Sequence, residues 1–165
     1  MATATLPSLE ILEPGDALLY SGSGLFSLAI KAKTFSRISH VEGWIGNKRA
    51  VASRDGKGVD NYPFRENGLV EVLRPTEPFD VNAALQWYGT VRGRGYDWRQ
   101  LFTFLRAGKV GKDLENEKAF FCSEFLAAWY RHGGLQVCSD HYPKYAITPG
   151  MFRSSPHFRI VWSAL

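Results

Sequence analysis

The segment Phe120-Phe121-Cys122-Ser123-Glu124-Phe125-Leu126-Ala127-Ala128-Trp129-Tyr130-Arg131 limits the possible folds more than any other. Phe125, Leu126, Trp129 and Tyr130 recur at helical spacing, and a stripe of that bulk must be covered by the rest of the chain. Gly133-Gly134 supplies the stop. A core helix is therefore expected, with Cys122 at or just before its first turn. That position carries chemistry, because a thiol reacts as its thiolate and a helix N-terminus favours negative charge through its dipole and unpaired N–H groups. Most free cysteines are small buried apolar residues. Position alone leaves both readings of Cys122 open.

A chain of 165 residues is long enough to bury a core as one domain, here taken as residues 1–165. Glu13-Pro14-Gly15-Asp16 reads as a turn into a strand at Ala17 to Tyr20. Leu25, Leu28, Ala29 and Ala32 fall at helical spacing, so a short helix is expected from Leu25 to Lys33, with Ser21 or Ser23 as its cap. Ser39 to Gly46 alternates as a strand does, setting Val41 and Ile45 on one face and His40, Glu42 and Trp44 on the other. Asn47-Lys48-Arg49 is a hairpin turn and Ala50 to Ser53 the returning strand. Leu69 to Leu73 is a further strand. Asp80 is placed to cap a helix running to about Val91, with Val81, Leu85 and Tyr88 along one stripe. Trp98 to Leu105 suits a second short helix, Lys109 to Glu117 a mobile polar stretch, and Phe158 to Trp162 a closing strand.

Several classes of function are disfavoured. The net charge of +4 suggests mild attraction to acidic partners such as cell-wall polymers, phospholipid headgroups or nucleic acid. The basic residues are interspersed with acidic ones, and no zinc-finger spacing, aromatic RNA-binding strand or basic helix is found, so no nucleic-acid partner is expected. Gly108-Lys109-Val110-Gly111-Lys112 lacks P-loop spacing, and Gly22-Ser23-Gly24 is no dinucleotide fingerprint. Neither a cofactor nor a metal is expected, since histidines and carboxylates do not fall at ligand spacing. Two cysteines, Cys122 and Cys138, are too few for a disulfide framework, and Cys138 in its polar loop is read as incidental. The first residues lack the features of a secretory signal, and no apolar run could span a bilayer. A cytoplasmic product is expected, exported or released by another system if it acts on a cell wall.

A nucleophilic cysteine needs a base. Of His40, His132, His141 and His157, only His40 lies mid-strand, where the backbone holds the ring more firmly than a loop would. His132 suits a helix C-terminus, and His141 and His157 lie in loop-like contexts. The order Pro14-Gly15-Asp16, strand, helix, Ser39-His40-Val41 on a strand, hairpin, then Phe121-Cys122-Ser123-Glu124-Phe125 opening a helix resembles the circularly permuted papain-like proteins of NlpC type. That group includes bacterial permuted amidase-like proteins and, more distantly, relatives of lecithin retinol acyltransferase. The likeness runs to Ile147-Thr148-Pro149-Gly150 and Ser155-Pro156. Histidine before cysteine is its most telling feature, because ordinary papain-like enzymes run the other way.

The resemblance implies an α+β fold in which an antiparallel sheet carrying His40 packs against helices, with the nucleophile Cys122 at a helix N-terminus and the site in the groove between. It implies an oxyanion site at the N–H of Cys122 or its neighbour. Tyr96 resembles a family tyrosine near the groove, and Trp44, on the His40 face, is a second expected substrate contact. The family places a polar residue on the strand after the hairpin to orient the histidine, where Ser53 is the nearest match. Glu42, two residues beyond His40 on the same strand face, is the competing and favoured candidate, with Asp16 and Asp55 behind it. The expected activity is that of a cysteine hydrolase cleaving an amide through an acyl-enzyme, in a peptidoglycan stem peptide or another peptide. Lipid or thioester acyl transfer by the same dyad is the second reading. A binding module that keeps the fold without turnover is the third.

Overall fold

The computed structural model describes residues 7–98, 102, 119–137 and 147–164, and the structural statements that follow concern these. Eight strands are seen among them: β1 (Ala17–Tyr20), β2 (His40–Gly46), β3 (Arg49–Arg54), β4 (Gly58–Pro63), β5 (Leu69–Pro75), β6 (Gly95–Tyr96), β7 (Ala119–Phe120) and β8 (Phe158–Ser163). The helices are α1 (Leu25–Thr34), α2 (Val81–Val91), α3 (Cys122–His132) and α4 (Pro149–Ser154). A 3-10 turn at Leu9–Ile11 precedes them. The expected helix from Trp98 to Leu105, the stretch Lys109 to Glu117, Cys138 and His141 lie wholly or mostly outside the described residues.

Six strands form one antiparallel sheet in the order β4-β3-β2-β1-β5-β8. β1 is central and buried along its whole length, as its run of apolar residues requires. Its alternation divides the core. Ala17 and Leu19 join Val41, Val51, Leu73 and the helices in the larger cluster. Leu18 and Tyr20 face the other way, with Leu12, Trp44, Ala50, Leu69 and Val72. The β2–β3 turn is made by Asn47 and Lys48, both at positive φ (50° and 56°), the geometry that matches the strand twist in a two-residue hairpin. β6 and β7 pair in parallel and bring Tyr96 beside Phe120, just before α3.

α3 lies on the larger cluster and is buried from Cys122 to Tyr130, more completely than a single stripe predicts. Its close approach to the sheet depends on Gly43 in β2. A Cβ there would stand 2.8 Å from the Trp129 ring and 2.9 Å from Leu126, distances that no packed carbon tolerates. Asp80 caps α2 by accepting from the N–H groups of Asn82 and Ala83, as its position foretells.

α1 is a different kind of helix. Gly24 stands at its N-cap with no side-chain hydrogen bond, so neither Ser21 nor Ser23 caps it. The periodic residues that predict it face outward: Leu25 is 84% exposed and Leu28 50%, while Ile30 is the one buried residue of the helix. α1 ends at Phe35, which takes the left-handed conformation (φ 50°) and is 98% exposed.

Candidate active site

Cys122 is the first residue of α3 and 2% exposed. Helix geometry leaves the N–H groups of Cys122 and Ser123 without intrahelical acceptors. The Glu124 carboxylate reaches back toward the N–H of Phe121 at 3.5 Å. Ser123 instead turns its hydroxyl to the carbonyl of Ile147. The opening turn of the helix is thus tied down on both sides of the thiol.

His40, the first residue of β2, lies near enough to Cys122 for the two to interact electrically, so sheet and helix approach each other at these two side chains. The ring is held by Glu42: Nε2 lies 2.9 Å from Oε1. Burial alone would favour a neutral imidazole. Its interactions with Cys122 and then with Glu42 outweigh that and push His40 up to about 9. The charged form of the ring is thereby favoured.

Glu42 is fully buried, a setting that would normally keep a carboxylic acid neutral. His40 and Arg54 overcome this and hold it down at about 2. Arg54 grips it with two hydrogen bonds, Nε to Oε1 at 2.9 Å and an Nη to Oε2 at 3.0 Å. Arg65 adds a third cation at 3.2 Å from Oε1. The two arginines lie over aromatic faces, Arg54 on Tyr62 at 4.2 Å and Arg65 on Tyr20 at 4.3 Å. Tyr20 pairs with His40 across β1 and β2, and its ring centroid is 6.0 Å from the imidazole. Burial keeps its phenol protonated, and it donates to the carbonyl of Arg65 at 3.2 Å.

Of the expected site residues, Cys122, His40, Glu42 and Tyr96 come together. Tyr96 lies close enough to Cys122 for the two to interact electrically, and burial pushes its phenol up. Two others do not join them. Ser53 is fully buried but donates to the carbonyl of Phe120 at 2.6 Å, bracing the chain that leads into α3 rather than orienting His40. Trp44 is 4% exposed and packs edge-on against Phe64 at 5.4 Å, so it fills the second core cluster instead of meeting substrate. Asp16 is also taken up elsewhere, by Arg74 at 2.8 Å. Asp55 is exposed at the cavity rim. His132 stacks on Trp87 and His157 pairs with Glu77.

A cavity of about 350 Å³ opens over His40, bounded by Tyr20, Phe26, Ile30, Arg65, Tyr96 and Trp98. Phe26 and Trp98 stand 4.8 Å apart, and Tyr96 and Trp98 5.0 Å apart, forming an aromatic wall. The sequence reading missed Arg54 and Arg65. Arg54 was within reach, since the register Gly43↔Val51, carried three residues further, sets Arg54 beside His40. Arg65 comes from the connection after β4, and no local pattern marks it.

Among solved structures the chain is similar to the crystal structure of metalloprotein yiiX from Escherichia coli O157:H7, with a TM-score of 0.67, 18% identity, and coverage of 92% of this chain and 97% of that one. At that identity the likeness speaks to the fold, a mixed α+β arrangement with a six-stranded antiparallel sheet against helices. The sequence matches no protein-family model and no curated protein. The word metalloprotein belongs to that neighbour. In this chain no three His, Cys, Asp or Glu side chains gather as a metal set among the described residues, and the carboxylate beside His40 is already engaged by two arginines.

Proposed function

We propose that the protein is a cysteine hydrolase of permuted papain-like type that cleaves an amide bond, with Cys122 as nucleophile and His40 as acid and base. The observation that carries this reading is a buried cysteine at a helix N-terminus that interacts with the ring of His40, which in turn is bonded at 2.9 Å to the buried carboxylate of Glu42. A core cysteine has no use for such a chain of partners. The sulfur attacks the acyl carbonyl carbon, forming a C–S bond, while the oxyanion is met by N–H groups at the start of α3. His40 gives its proton to the leaving amine as the C–N bond breaks. It then takes a proton from water, which attacks the thioester and releases the acid and the thiolate. Glu42 stabilises the imidazolium and fixes the ring, and Arg54 fixes Glu42.

A peptide, such as a peptidoglycan stem peptide, is the proposed amide. The aromatic wall at the cavity, with Phe26 and Ile30 beside it, favours a second reading on the same chemistry, acyl transfer or hydrolysis on a lipid or thioester.

The test begins with iodoacetamide labelling followed by peptide mapping. Cys122 is expected to react before Cys138, and His40→Ala to slow that reaction. Sacculi and acyl thioesters are then supplied separately to find which is consumed. Cys122→Ala and His40→Ala should each remove turnover, with the double variant little worse than either. Equal labelling of both cysteines, untouched by His40→Ala, would count against the assignment.

A further inference from the structure

The apolar stripe of α1 has no covering element among the described residues. Leu25 is 84% exposed, Leu28 50% and Phe26 38%, and Phe35 at the helix end is 98% exposed. Phe102 adds a ring at 56% exposure, 6.1 Å from Phe26. Scattered surface leucines are ordinary, but Leu25 and Leu28 share one side of α1, with Phe35 beyond its last turn and Phe26 turned to Trp98 at 4.8 Å, and an exposed apolar face of that kind marks a surface that meets something. Phe35 is the most telling of these residues. It occupies a left-handed position (φ 50°), where an aromatic side chain is disfavoured and glycine or asparagine would sit without strain. The chain thus tolerates both backbone strain and a bare aromatic ring at one exposed point.

The charge carried by the α1 segment itself is of one sign, with the exposed Asp55 nearby on the cavity rim. From Ala17 to Val41 the sequence contains no aspartate or glutamate, while Lys31, Lys33 and Arg37 lie on or next to α1. Lys33 and Arg37 are exposed. Lys31 donates to the carbonyl of Gly22 at 2.7 Å and so belongs partly to the fold. Exposed leucine and phenylalanine flanked by basic residues is the composition that lies in the headgroup region of an anionic bilayer, the rings and aliphatic chains in the acyl boundary and the cations at the phosphates. Nucleic acid would satisfy the charge but not the aliphatic side chains.

We infer that the exposed face of α1, Leu25, Leu28 and Phe35 with Lys33 and Arg37, is a docking surface for an anionic lipid bilayer. Phe26 and Ile30, on another side of the same helix, line the cavity over His40. This surface is independent of whether Cys122 turns over a substrate, because its readout is binding.

The test is flotation of the purified protein with vesicles of phosphatidylcholine alone and of phosphatidylcholine mixed with phosphatidylglycerol. Binding to the mixed vesicles is expected to be at least about tenfold stronger and to weaken with salt. Phe35→Asn should lower that binding severalfold while the melting temperature holds or rises, since asparagine relieves the left-handed strain. The double changes Leu25→Ser with Leu28→Ser, and Lys33→Gln with Arg37→Gln, should each do the same without unfolding the chain. The inference is overturned if the protein floats with neither vesicle or if these variants bind as well as the parent. It is equally overturned if sedimentation velocity shows a dimer that Phe35→Asn and the leucine pair render monomeric, for then a second copy is the occupant.

Discussion

α1 and α3 are helices of ten and eleven residues. Each is announced by apolar side chains at the same spacing, yet they end with opposite exposures. In α3 everything from Cys122 to Tyr130 is buried, whereas in α1 Ile30 alone is buried and the stripe looks outward. Periodicity therefore specifies that a helix forms and which residues share its face. It does not specify what that face meets. The deciding difference lies on the neighbouring element: β2 offers α3 a glycine at the point where Trp129 and Leu126 arrive. The buried helix holds Cys122 at a fixed place, and the exposed one offers a surface and, through Phe26 and Ile30, part of the cavity wall.

The sharpest way to break the comparison is to disturb what α3 is held against. Glu42→Gln keeps the shape of the side chain but removes the charge shared by His40, Arg54 and Arg65. Turnover should fall by orders of magnitude, and the uncompensated arginines should cost about 3–5 kcal/mol of stability in a urea titration. Full activity in this variant would free His40 from Glu42 and leave the ring to backbone or water.

Matched leucines test the helices themselves. Leu126→Ala, in the face of α3 pressed on Gly43, should cost about 2–5 kcal/mol, and Leu28→Ala on α1 should stay within about 0.5 kcal/mol of the parent. A large loss at Leu28 would mean that α1 is covered after all.

The pH dependence follows from the two shifted groups. His40 binds its proton more tightly when folded, so its contribution is complete below 6.5 and disappears as pH rises through about 9. Glu42 holds its proton less tightly when folded, so its contribution is present above 4.5 and disappears as pH falls through about 2. The melting temperature should decline on the alkaline side, between neutral pH and about 9, and His40→Gln should flatten that decline. A decline unchanged by His40→Gln would assign it to other groups.

Ser53→Ala should have the smallest effect on the site itself. It should cost about 0.5–1.5 kcal/mol, by removing one of the two donors to the Phe120 carbonyl while the Asp97 N–H stays at 3.3 Å, and leave the titration of His40 in place. A shift in that titration, followed by NMR of the ring, would return Ser53 to the role that the family position suggests.

Much of the fold was legible because strand and helix periods are strong where one face is buried. The strands at Ala17–Tyr20 and Phe158–Ser163 and the helices opening at Val81 and Cys122 all follow from such patterns and their caps. At the site, period-two alternation correctly joins Glu42 to His40. The same rule misleads at Trp44, because alternation says which side of a sheet a residue takes and nothing of whether that side is open. Here it is closed by Phe64 and Leu12. The cations on Glu42 depend on pairings across strands and loops, which a local reading does not contain.

One consequence of Gly43 is mechanical. β2 carries His40 three residues before it, and α3 carries Cys122 two turns before Trp129, the residue that bears on it. Strand and helix thus touch at a fulcrum of bare backbone against indole, with no flexible side chain between them to absorb slack. An atom added at that fulcrum pushes strand and helix apart and so shifts Cys122 against His40. The spacing of those two side chains is set at a contact that neither of them makes.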